Sequence, residues 1–342
     1  MKGRGVVFTK KGIVRYQDVE VPEPGDEDIV IEVEHSWISI GTESSFLKGE
    51  RITGEQPYRE GDTLPFPQIN GYQKVGIVTH IGSAVADIAV GERVFATTSR
   101  VNGMAFASGG HVSPAVTHAS QVWKLPGRGG DGVDAGLAYA GMVLTQVGYN
   151  CGIRPQVAPG DAAVVIGDGL VGQWAAQTLL HRGVRVAVLG RHDERLSRLP
   201  AGVERINAKT VGAPGERLHE SMTNGGRGGG IAVVIDTVGS IPTFYELLPL
   251  LQHNSHLVSA GFLGSAGLID IQTLREKEIT LHCPSGWDRP RMDETLCGIA
   301  EGWLQTTPLI THRYPIAEAE EAWRVILDPT QPCLGVILDW MV

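Results

Sequence analysis

One stretch, residues 162–183, constrains the fold of this chain more than any other. It begins with AAVVI, a run of small and β-branched residues that indicates a parallel strand buried on both faces. The glycine-rich sequence GDGLVG follows, and then the helical run QWAAQTLLHRG. Glycines at this spacing allow a tight turn, close approach to a pyrophosphate, and close packing of helix on strand. The stretch predicts a dinucleotide-binding loop, with a purely structural glycine turn as the alternative; the loop residues are Gly167, Asp168, Gly169, Leu170, Val171 and Gly172.

The end of the next predicted strand indicates which dinucleotide binds. An NAD site usually has Asp or Glu there, about 20 residues beyond the glycines, to bond the ribose 2′-hydroxyl. This chain has Gly190 instead, followed by Arg191 and His192. With no carboxylate to repel a 2′-phosphate and a guanidinium to pair with it, the site favours NADP(H) over NAD(H). In the alternative interpretation, Arg191 is a solvated surface residue, and Asp193 or Glu194 binds the ribose.

The order of the remaining segments predicts two domains. Residues 1–150 are β-rich, and a C-terminal segment, 286–342, returns to them, whereas strands and helices alternate through residues 151–285. Such alternation is typical of a doubly wound parallel sheet, so the expected fold class is α/β. Ligands bind at the carboxyl ends of strands in such sheets, which places Gly261 and Phe262 beside the nicotinamide. The predicted cofactor-binding set is completed by Arg195, Thr237 and Val238.

Charge and cysteine content exclude several classes of protein. A formal net charge of -9 argues against nucleic acid or an anionic membrane surface as the main partner. The chain has no apolar run long enough for a membrane span and no signal-peptide pattern near its first residue, so a cytoplasmic protein is expected. Its four cysteines are scattered and form no CxxC pair, which favours buried thiols over a disulfide or metal framework.

Short motifs along essentially the whole chain resemble those of the medium-chain dehydrogenase/reductase superfamily. They are SIGTE at 39–43, GYQKVG at 71–76, GERV at 91–94, GGH at 109–111, PGD at 159–161, DTVG at 236–239 and LITHR at 309–313. The resemblance implies a GroES-like catalytic domain beside a Rossmann-type domain, and an oxidoreductase that moves hydride between a nicotinamide and an alcohol or ketone in the interdomain cleft. By analogy with relatives, it also implies a small-molecule substrate and a homodimer.

The sequence departs from the zinc alcohol dehydrogenases of this superfamily at the metal ligands. Their first motif reads Cys-Gly-Thr-Asp and their second Gly-His-Glu, but here Ile40 replaces the cysteine and Tyr72 the histidine. The third ligand position falls at Gly141 or Met142, and the four-cysteine structural zinc lobe is missing. None of these residues is a usual zinc ligand, so no zinc is expected. The pattern most resembles the zinc-less branch that includes the bacteriochlorophyllide a dehydrogenases.

Without a Lewis acid, hydride transfer to a carbonyl still needs a proton donor or positive charge near the developing alkoxide. Thr42 aligns with the hydroxyl that relays protons in the zinc enzymes, although it could instead be a turn residue that bonds the backbone. Glu43 aligns with a supporting acidic residue, for which a structural ion pair is the alternative. The Tyr72 phenol either faces the substrate or packs as a core aromatic residue. Lys74 either lowers the pKa of that phenol or is solvated on a strand, and His111 is interpreted as a satisfied surface or core histidine.

These observations favour a zinc-independent NADP(H)-linked dehydrogenase/reductase that acts on an alcohol or ketone. The first alternative is an NADPH-dependent reductase of an activated C=C bond, of the enoyl or quinone type. It would consume NADPH with an enone but not with the saturated ketone. The second alternative is a non-catalytic NADPH-binding protein, which would bind the cofactor and turn over no carbonyl or alcohol.

Overall fold

The computed structural model describes residues 1–52, 56–127, 133–211, 214–223, 229–264 and 267–341. The chain divides into two compact units, one formed by Met1–Val143 and Thr306–Val342, the other by Leu144–Gln305. Residues 286–305, which the sequence analysis assigns to the first domain, therefore lie in the second unit. Hydrogen bonds hold them there, since the Trp174 indole N–H donates to the Gln305 carbonyl at 3.0 Å.

Two β-sheets form the first unit. Its strands are β1 (Lys2–Lys10), β2 (Ile13–Glu20), β3 (Asp28–Trp37), β4 (Gln68–Ile69), β5 (Lys74–Ile81), β6 (Arg93–Ala96), β7 (Phe106–Ala107), β8 (Val112–Ser113), β9 (Ala115–His118), β10 (Val122–Lys124), β17 (Ile310–Pro315) and β18 (Gly335–Asp339). One sheet has the order β2-β1-β4-β7, with β8 on β1, and the other has the order β10-β6-β5-β3-β18-β17, with β9 on β3. Helices α1 (Ile40–Leu47) and α9 (Ala319–Leu327) belong to the same unit.

The position of β3 at the centre of the larger sheet brings distant parts of the chain together. β3 pairs antiparallel with both β5 and the C-terminal strand β18, so that Trp37 lies opposite Ile337. The strand is fixed by an apolar face whose members Ile29, Ile31 and Val33 are fully buried. Because α1 begins three residues after β3 ends, the start of this helix is held next to the start of β5.

A six-stranded parallel sheet forms the centre of the second unit. Its strands are β11 (Ala162–Ile166), β12 (Arg185–Gly190), β13 (Val203–Asn207), β14 (Ile231–Asp236), β15 (Leu251–Ser259) and β16 (Thr280–His282), in the order β13-β12-β11-β14-β15-β16. The helices are α2 (Met142–Ile153), α3 (Leu170–His181), α4 (Asp193–Leu196), α5 (Pro214–Leu218), α6 (Ile241–Leu247), α7 (Ile271–Arg275) and α8 (Arg289–Ala300). A helical turn at His219–Thr223 follows α5.

Alternate residues of β11 explain why its sequence is apolar throughout. Ala163 and Val165 lie in a core cluster with residues of α3, whereas Val164 and Ile166 lie in a second cluster with Phe244 of α6 and its neighbours. Both faces of the strand are therefore covered, as in other doubly wound sheets. The predicted fold class, a Rossmann-type parallel-sheet domain with a β-rich GroES-like domain, is confirmed. Within the described ranges, no helix has both the length and the apolar character needed to cross a membrane.

Candidate functional site

The glycine loop at 167–172 joins β11 to α3, and each of its glycines meets a different local demand. Gly167 has a φ of +116°, which L side chains rarely adopt, and a Cβ there would lie 2.3 Å from Thr237 Oγ1. A Cβ on Gly172 would lie 2.1 Å from the Gly167 carbonyl oxygen, so only glycine lets α3 approach the strand so closely. Gly169 differs, because no atom lies within 4 Å of the Cβ position. The space beside Gly169 is therefore open.

The first turn of α3 faces this open space with uncapped backbone donors. Gly169 is the N-cap residue and supplies no side-chain hydrogen bond, and the twelve-residue helix has no acidic residue in its first turn. Free N–H groups and the positive end of the helix dipole form a suitable site for a phosphate group. Leu170 is buried and Val171 is half-buried, so both contribute packing and backbone. The loop fits the pyrophosphate of a dinucleotide.

Asp168, between the first two glycines, has its carboxylate turned toward the end of β12. Its Oδ2 accepts hydrogen bonds from the backbone N–H of Arg191 at 2.7 Å and of His192 at 2.9 Å. The His192 ring nitrogen Nδ1 lies 3.0 Å from the same oxygen, and Arg195 Nη1 lies 3.5 Å from Oδ1. Burial alone would raise the pKa of Asp168, but these hydrogen bonds and the nearby His192 hold the pKa below its usual value.

The residues after β12 are arranged as a short basic segment. Arg191 is exposed, and its side chain has no partner among the residues that the structure describes. His192 and Arg195 both contact Asp168 and remain about one-third and one-quarter exposed, with side-chain values of 35% and 26%. Of the two alternative ribose ligands, Asp193 accepts a hydrogen bond from Asn207 at 2.7 Å, and Glu194 is exposed.

Two further predicted segments lie along the same edge of the sheet. Thr237 donates its hydroxyl to the Ile166 carbonyl at 2.9 Å, and Val238 is 49% exposed. The Asp236 carboxylate fixes this turn by accepting the N–H groups of Val238, Gly239 and Ser240. A Cβ on Gly261 would lie 2.0 Å from the Gly239 nitrogen, and Phe262 next to it is 39% exposed. The predicted cofactor-binding residues after β11, β12, β14 and β15 thus share one edge of the sheet.

In the first unit, three hydroxyl groups meet where α1 begins. Ser39 Oγ and Tyr72 Oη are 2.6 Å apart, and Tyr72 Oη lies 3.5 Å from Thr42 Oγ1, at the limit of a hydrogen bond. Tyr72 and Thr42 are half-buried, whereas Ser39 is buried. We call Ser39, Thr42 and Tyr72 the hydroxyl cluster. Its members come from the start of α1 and from the segment just before β5.

A buried acid–base pair, Glu43 and His111, is hydrogen-bonded to the backbone of this cluster. Glu43 Oε1 accepts the backbone N–H of Ser39 at 2.7 Å, and Glu43 Oε2 lies 3.0 Å from His111 Nε2. Both side chains of the pair are 1% exposed. His111 Nδ1 lies 2.8 Å from Ser36 Oγ, which in turn accepts the Trp340 indole N–H at 2.9 Å. Since an indole N–H can only donate, Ser36 can donate to Nδ1, and Nε2 then carries the hydrogen that faces Glu43.

Close backbone contacts bring the segment that carries His111 against the segment that carries Tyr72. A Cβ on Gly110 would lie 2.1 Å from the Gly71 carbonyl carbon and 2.3 Å from the Tyr72 nitrogen, so the two segments touch backbone to backbone. Lys74 is fully buried, and its Nζ donates to the carbonyls of Thr97 at 2.6 Å and Gly109 at 2.9 Å. Burial lowers the pKa of this ammonium group to about 7. The expectation that Lys74 could be a solvated strand residue is therefore wrong.

The positions that bind zinc in the related enzymes do not fit a metal here. Ile40 has no donor atom, and Tyr72 is engaged with Ser39. A Cβ on Gly141 would lie 2.8 Å from the Trp37 ring, so this position is used for packing, and Met142 next to it is fully buried. Across the part of the chain that the structure describes, no group of three or more His, Cys, Asp or Glu side chains could hold a metal ion.

Ser39 and the role of His111 were missed by sequence reasoning. Ser39 lies in the SIGTE motif, to which the sequence analysis assigns no function at this residue, and His111 is a satisfied core histidine, as one of its interpretations holds, but its pairing with Glu43 is not predicted. The signal that could have linked His111 to Glu43 is the pair of glycines before it, which indicates a close backbone approach. No sequence signal indicates which segment that backbone approaches.

Comparisons with known proteins agree with this architecture. The 2-desacetyl-2-hydroxyethyl bacteriochlorophyllide A dehydrogenase of Cereibacter sphaeroides is 26% identical over 345 residues, which cover 99% of both chains. An L-threonine 3-dehydrogenase of Yersinia pestis is 24% identical over 90% of this chain and 91% of its own length. A solved oxidoreductase/dehydrogenase of unknown specificity from Escherichia coli superposes with a TM-score of 0.81, at 19% identity and 99% coverage of both chains. No protein-family model matches the chain.

A Rossmann-type unit joined to a β-rich unit, together with these relatives, defines an oxidoreductase of the dehydrogenase/reductase type. Over nearly its whole length the chain is similar to dehydrogenases of the medium-chain dehydrogenase/reductase type. Two other proteins of this fold were solved with nicotinamide coenzymes. One, from Sinorhizobium meliloti 1021, is bound to NADP (TM-score 0.78, 20% identity, coverage 99% of this chain and 100% of that chain). The other, an alcohol dehydrogenase from Escherichia coli CFT073, is complexed with NADH (TM-score 0.79, 20% identity, 99% of both chains).

Proposed function

We propose that this protein is a zinc-independent, NADP(H)-linked oxidoreductase that interconverts an alcohol and a ketone, with Tyr72 as the proton donor. The observation that carries this proposal is the hydroxyl cluster. A phenol stands at a position that holds a zinc ligand in the related enzymes, and its oxygen lies 2.6 Å from Ser39 Oγ. A hydroxyl group that is itself hydrogen-bonded by a second hydroxyl is a suitable general acid.

The nicotinamide coenzyme, when bound, supplies or accepts the hydride. Its pyrophosphate is bound by the glycine loop and the start of α3, where Gly169 leaves open space. The ribose 2′-phosphate pairs with Arg191, whose exposed guanidinium has no partner within the described ranges. Thr237, Val238, Gly261 and Phe262, which lie along the same edge of the sheet, would face the nicotinamide.

The residues of the first unit handle the proton. In the direction of reduction, Tyr72 Oη donates its proton to the substrate oxygen as this oxygen gains negative charge. The phenolate so formed accepts a hydrogen bond from Ser39 Oγ, and Thr42 Oγ1 is near enough to add a second one. Glu43 holds the Ser39 backbone in place, and His111 holds Glu43. In oxidation, the same phenolate accepts the hydroxyl proton of the alcohol.

The test combines a Tyr72→Phe substitution with a coenzyme titration on metal-stripped protein. We expect NADPH to quench tryptophan fluorescence equally in wild type and Tyr72→Phe, because the phenol takes no part in coenzyme binding. With a panel of ketones, we expect kcat/KM to fall roughly 100-fold or more in Tyr72→Phe, the usual range for losing a general acid. The matched control is Tyr16→Phe on β2, because phenylalanine keeps the ring that contacts Arg4 and Trp340 and removes only the hydroxyl group.

Two results would overturn the proposal in different ways. Activity that returns only when zinc is added back would overturn zinc independence, and an unaltered kcat/KM in Tyr72→Phe would overturn the proton-donor role. NADPH consumption with an enone but not with the saturated ketone would instead support the C=C reductase alternative. Coenzyme binding without turnover of any member of the panel would support the non-catalytic alternative.

A further inference from the structure

We propose that Asp168 determines the coenzyme preference of this chain, because its carboxylate occupies the space that a ribose-binding side chain at position 190 would need. This inference rests on the proposed NADP(H) function and assigns a specific residue to it. In an NAD site, the carboxylate that bonds the ribose usually comes from the end of the second strand. Here a carboxylate of the glycine loop, that of Asp168, accepts the backbone N–H groups of the two residues just after that strand end.

Asp168 and a side chain at position 190 exclude each other sterically. A Cβ placed on Gly190 would lie 2.6 Å from Asp168 Oδ2, 2.7 Å from Asp168 Cβ and 2.8 Å from Leu196 Cδ2. Such short contacts require something to move, and Leu196 is itself buried, with 4% exposure. Glycine at 190 is therefore required by Asp168, and an Asp or Glu at 190 cannot be accommodated while Asp168 keeps this position.

The carboxylate of Asp168 is also unavailable to a ribose hydroxyl. It accepts two backbone N–H groups, contacts the His192 ring and lies 3.5 Å from Arg195, and its side chain is only 7% exposed. These partners all belong to the segment that follows β12. Asp168 thus acts on the shape of this segment and not as a ligand of the coenzyme.

The charges around Asp168 favour a phosphate over a hydroxyl. The Arg195 guanidinium lies 3.5 Å from the Asp168 carboxylate and offsets its negative charge, and the exposed Arg191 side chain is carried by the backbone that this carboxylate binds. Because the N–H of Arg191 is fixed by Asp168 at 2.7 Å, the backbone that carries the exposed Arg191 side chain is held in one position. A fixed guanidinium loses less freedom when it binds a phosphate than one on a mobile loop.

The first experiment replaces Asp168 by Ala and measures NADPH and NADH binding separately by tryptophan fluorescence. We expect the Kd for NADPH to rise about tenfold and the Kd for NADH to change little. The reason is that the lost hydrogen bond from the Arg191 backbone to Asp168 positions the guanidinium proposed to bind the 2′-phosphate, which NADH lacks. Asp161→Ala is the matched control. Asp161 also accepts a backbone N–H, from Ala158 at 2.7 Å, but at the turn before β11. An unchanged NADPH-to-NADH ratio in Asp168→Ala would overturn the proposal.

The second experiment tests the steric exclusion with Gly190→Asp, alone and together with Asp168→Gly. Alone, Gly190→Asp should lower the melting temperature and weaken both coenzymes, because the new side chain meets Asp168 and Leu196. In the double variant, stability should recover, and NADH should bind more tightly than NADPH. If Gly190→Asp alone melts as wild type and prefers NADH, the exclusion is wrong. If wild type binds neither coenzyme, the proposed function fails, while the melting temperatures of wild type, Gly190→Asp and the double variant still test whether a side chain at position 190 collides with Asp168.

Discussion

The coenzyme loop and the hydroxyl cluster show two different ways in which a sequence encodes a site. Every contact of Asp168 described above is made with residues 190–195, about 25 positions along the chain. The hydroxyl cluster and its support instead take residues from 36–43, 71–74, 109–111 and position 340. The first site is one strand–loop–helix–strand unit, and the second forms only after β3 has paired with β5 and β18 and the backbone at Gly110 has met that at Gly71.

This difference predicts that the two sites fail in different ways. The loop depends on backbone shape at single glycines, and at Gly169, where no atom lies within 4 Å of the Cβ position, one added methyl group should remove binding while the fold survives. The hydroxyl cluster depends on buried polar side chains, so its support should respond to pH and to the loss of single hydrogen bonds. The following predictions test that contrast.

The largest effect is expected from Gly169→Ala. Because no atom lies within 4 Å of this Cβ position and the residue has an ordinary φ of −73°, the variant should melt as wild type does. The methyl group would occupy the space proposed for the pyrophosphate, so we expect the Kd for NADPH to rise roughly 100- to 1,000-fold. Isothermal titration calorimetry with NADPH measures this change in Kd.

Gly215→Ala is the matched control for that variant. Gly215 lies in α5 of the same unit and also has no atom within 4 Å of its Cβ position, so it should keep both stability and NADPH affinity. Equal affinity in Gly169→Ala and Gly215→Ala would mean that the pyrophosphate does not approach Gly169.

A pH-dependent stability effect is expected from Lys74, whose buried Nζ donates to the Gly109 carbonyl two residues before His111. Its pKa is about 7 in the folded protein, well below the ordinary value of about 10.4 expected in the unfolded chain. Between these values the unfolded chain binds more protons, so the free energy of unfolding should increase as the pH rises from 7 toward 10. The increase is roughly 1 kcal/mol per pH unit, and it is lost as the pH falls back to 7.

Comparing wild type with Lys74→Met isolates this contribution, because all other titrating groups are shared. The difference in free energy of unfolding, from urea titrations at pH 7, 8 and 9, should grow in favour of wild type as the pH rises. If the free energy of unfolding changed equally with pH in the two proteins, the Lys74 amine would not be held neutral by burial. NADPH binding to the coenzyme loop is the control, because its affinity should be the same in wild type and Lys74→Met at each pH.

The same contrast explains which parts of the structure could be predicted from the sequence. The strand AAVVI, the glycine spacing and the alternation of strands and helices are local patterns, and they predicted the parallel sheet and the fold class. The neighbours of Tyr72 could not be predicted in this way. They depend on how β3 pairs with β5 and β18, and on the backbone contact between Gly71 and Gly110. Residue types indicated which side chains were available, but only the sheet register determines which of them meet.

The smallest effect is expected from Arg191→Ala, and the reason is its exposure. An exposed guanidinium that pairs with a phosphate is screened by water and salt, so its contribution is at the low end for charge-assisted contacts. We expect the Kd for NADPH to rise about tenfold and the Kd for NADH to stay the same. Both constants come from the fluorescence titration, and the NADPH effect should shrink as salt is raised. Equal losses for the two coenzymes would show that Arg191 serves a part of the coenzyme common to both. In that case Arg195 and His192, which Asp168 holds beside it, would be the remaining candidates for the 2′-phosphate.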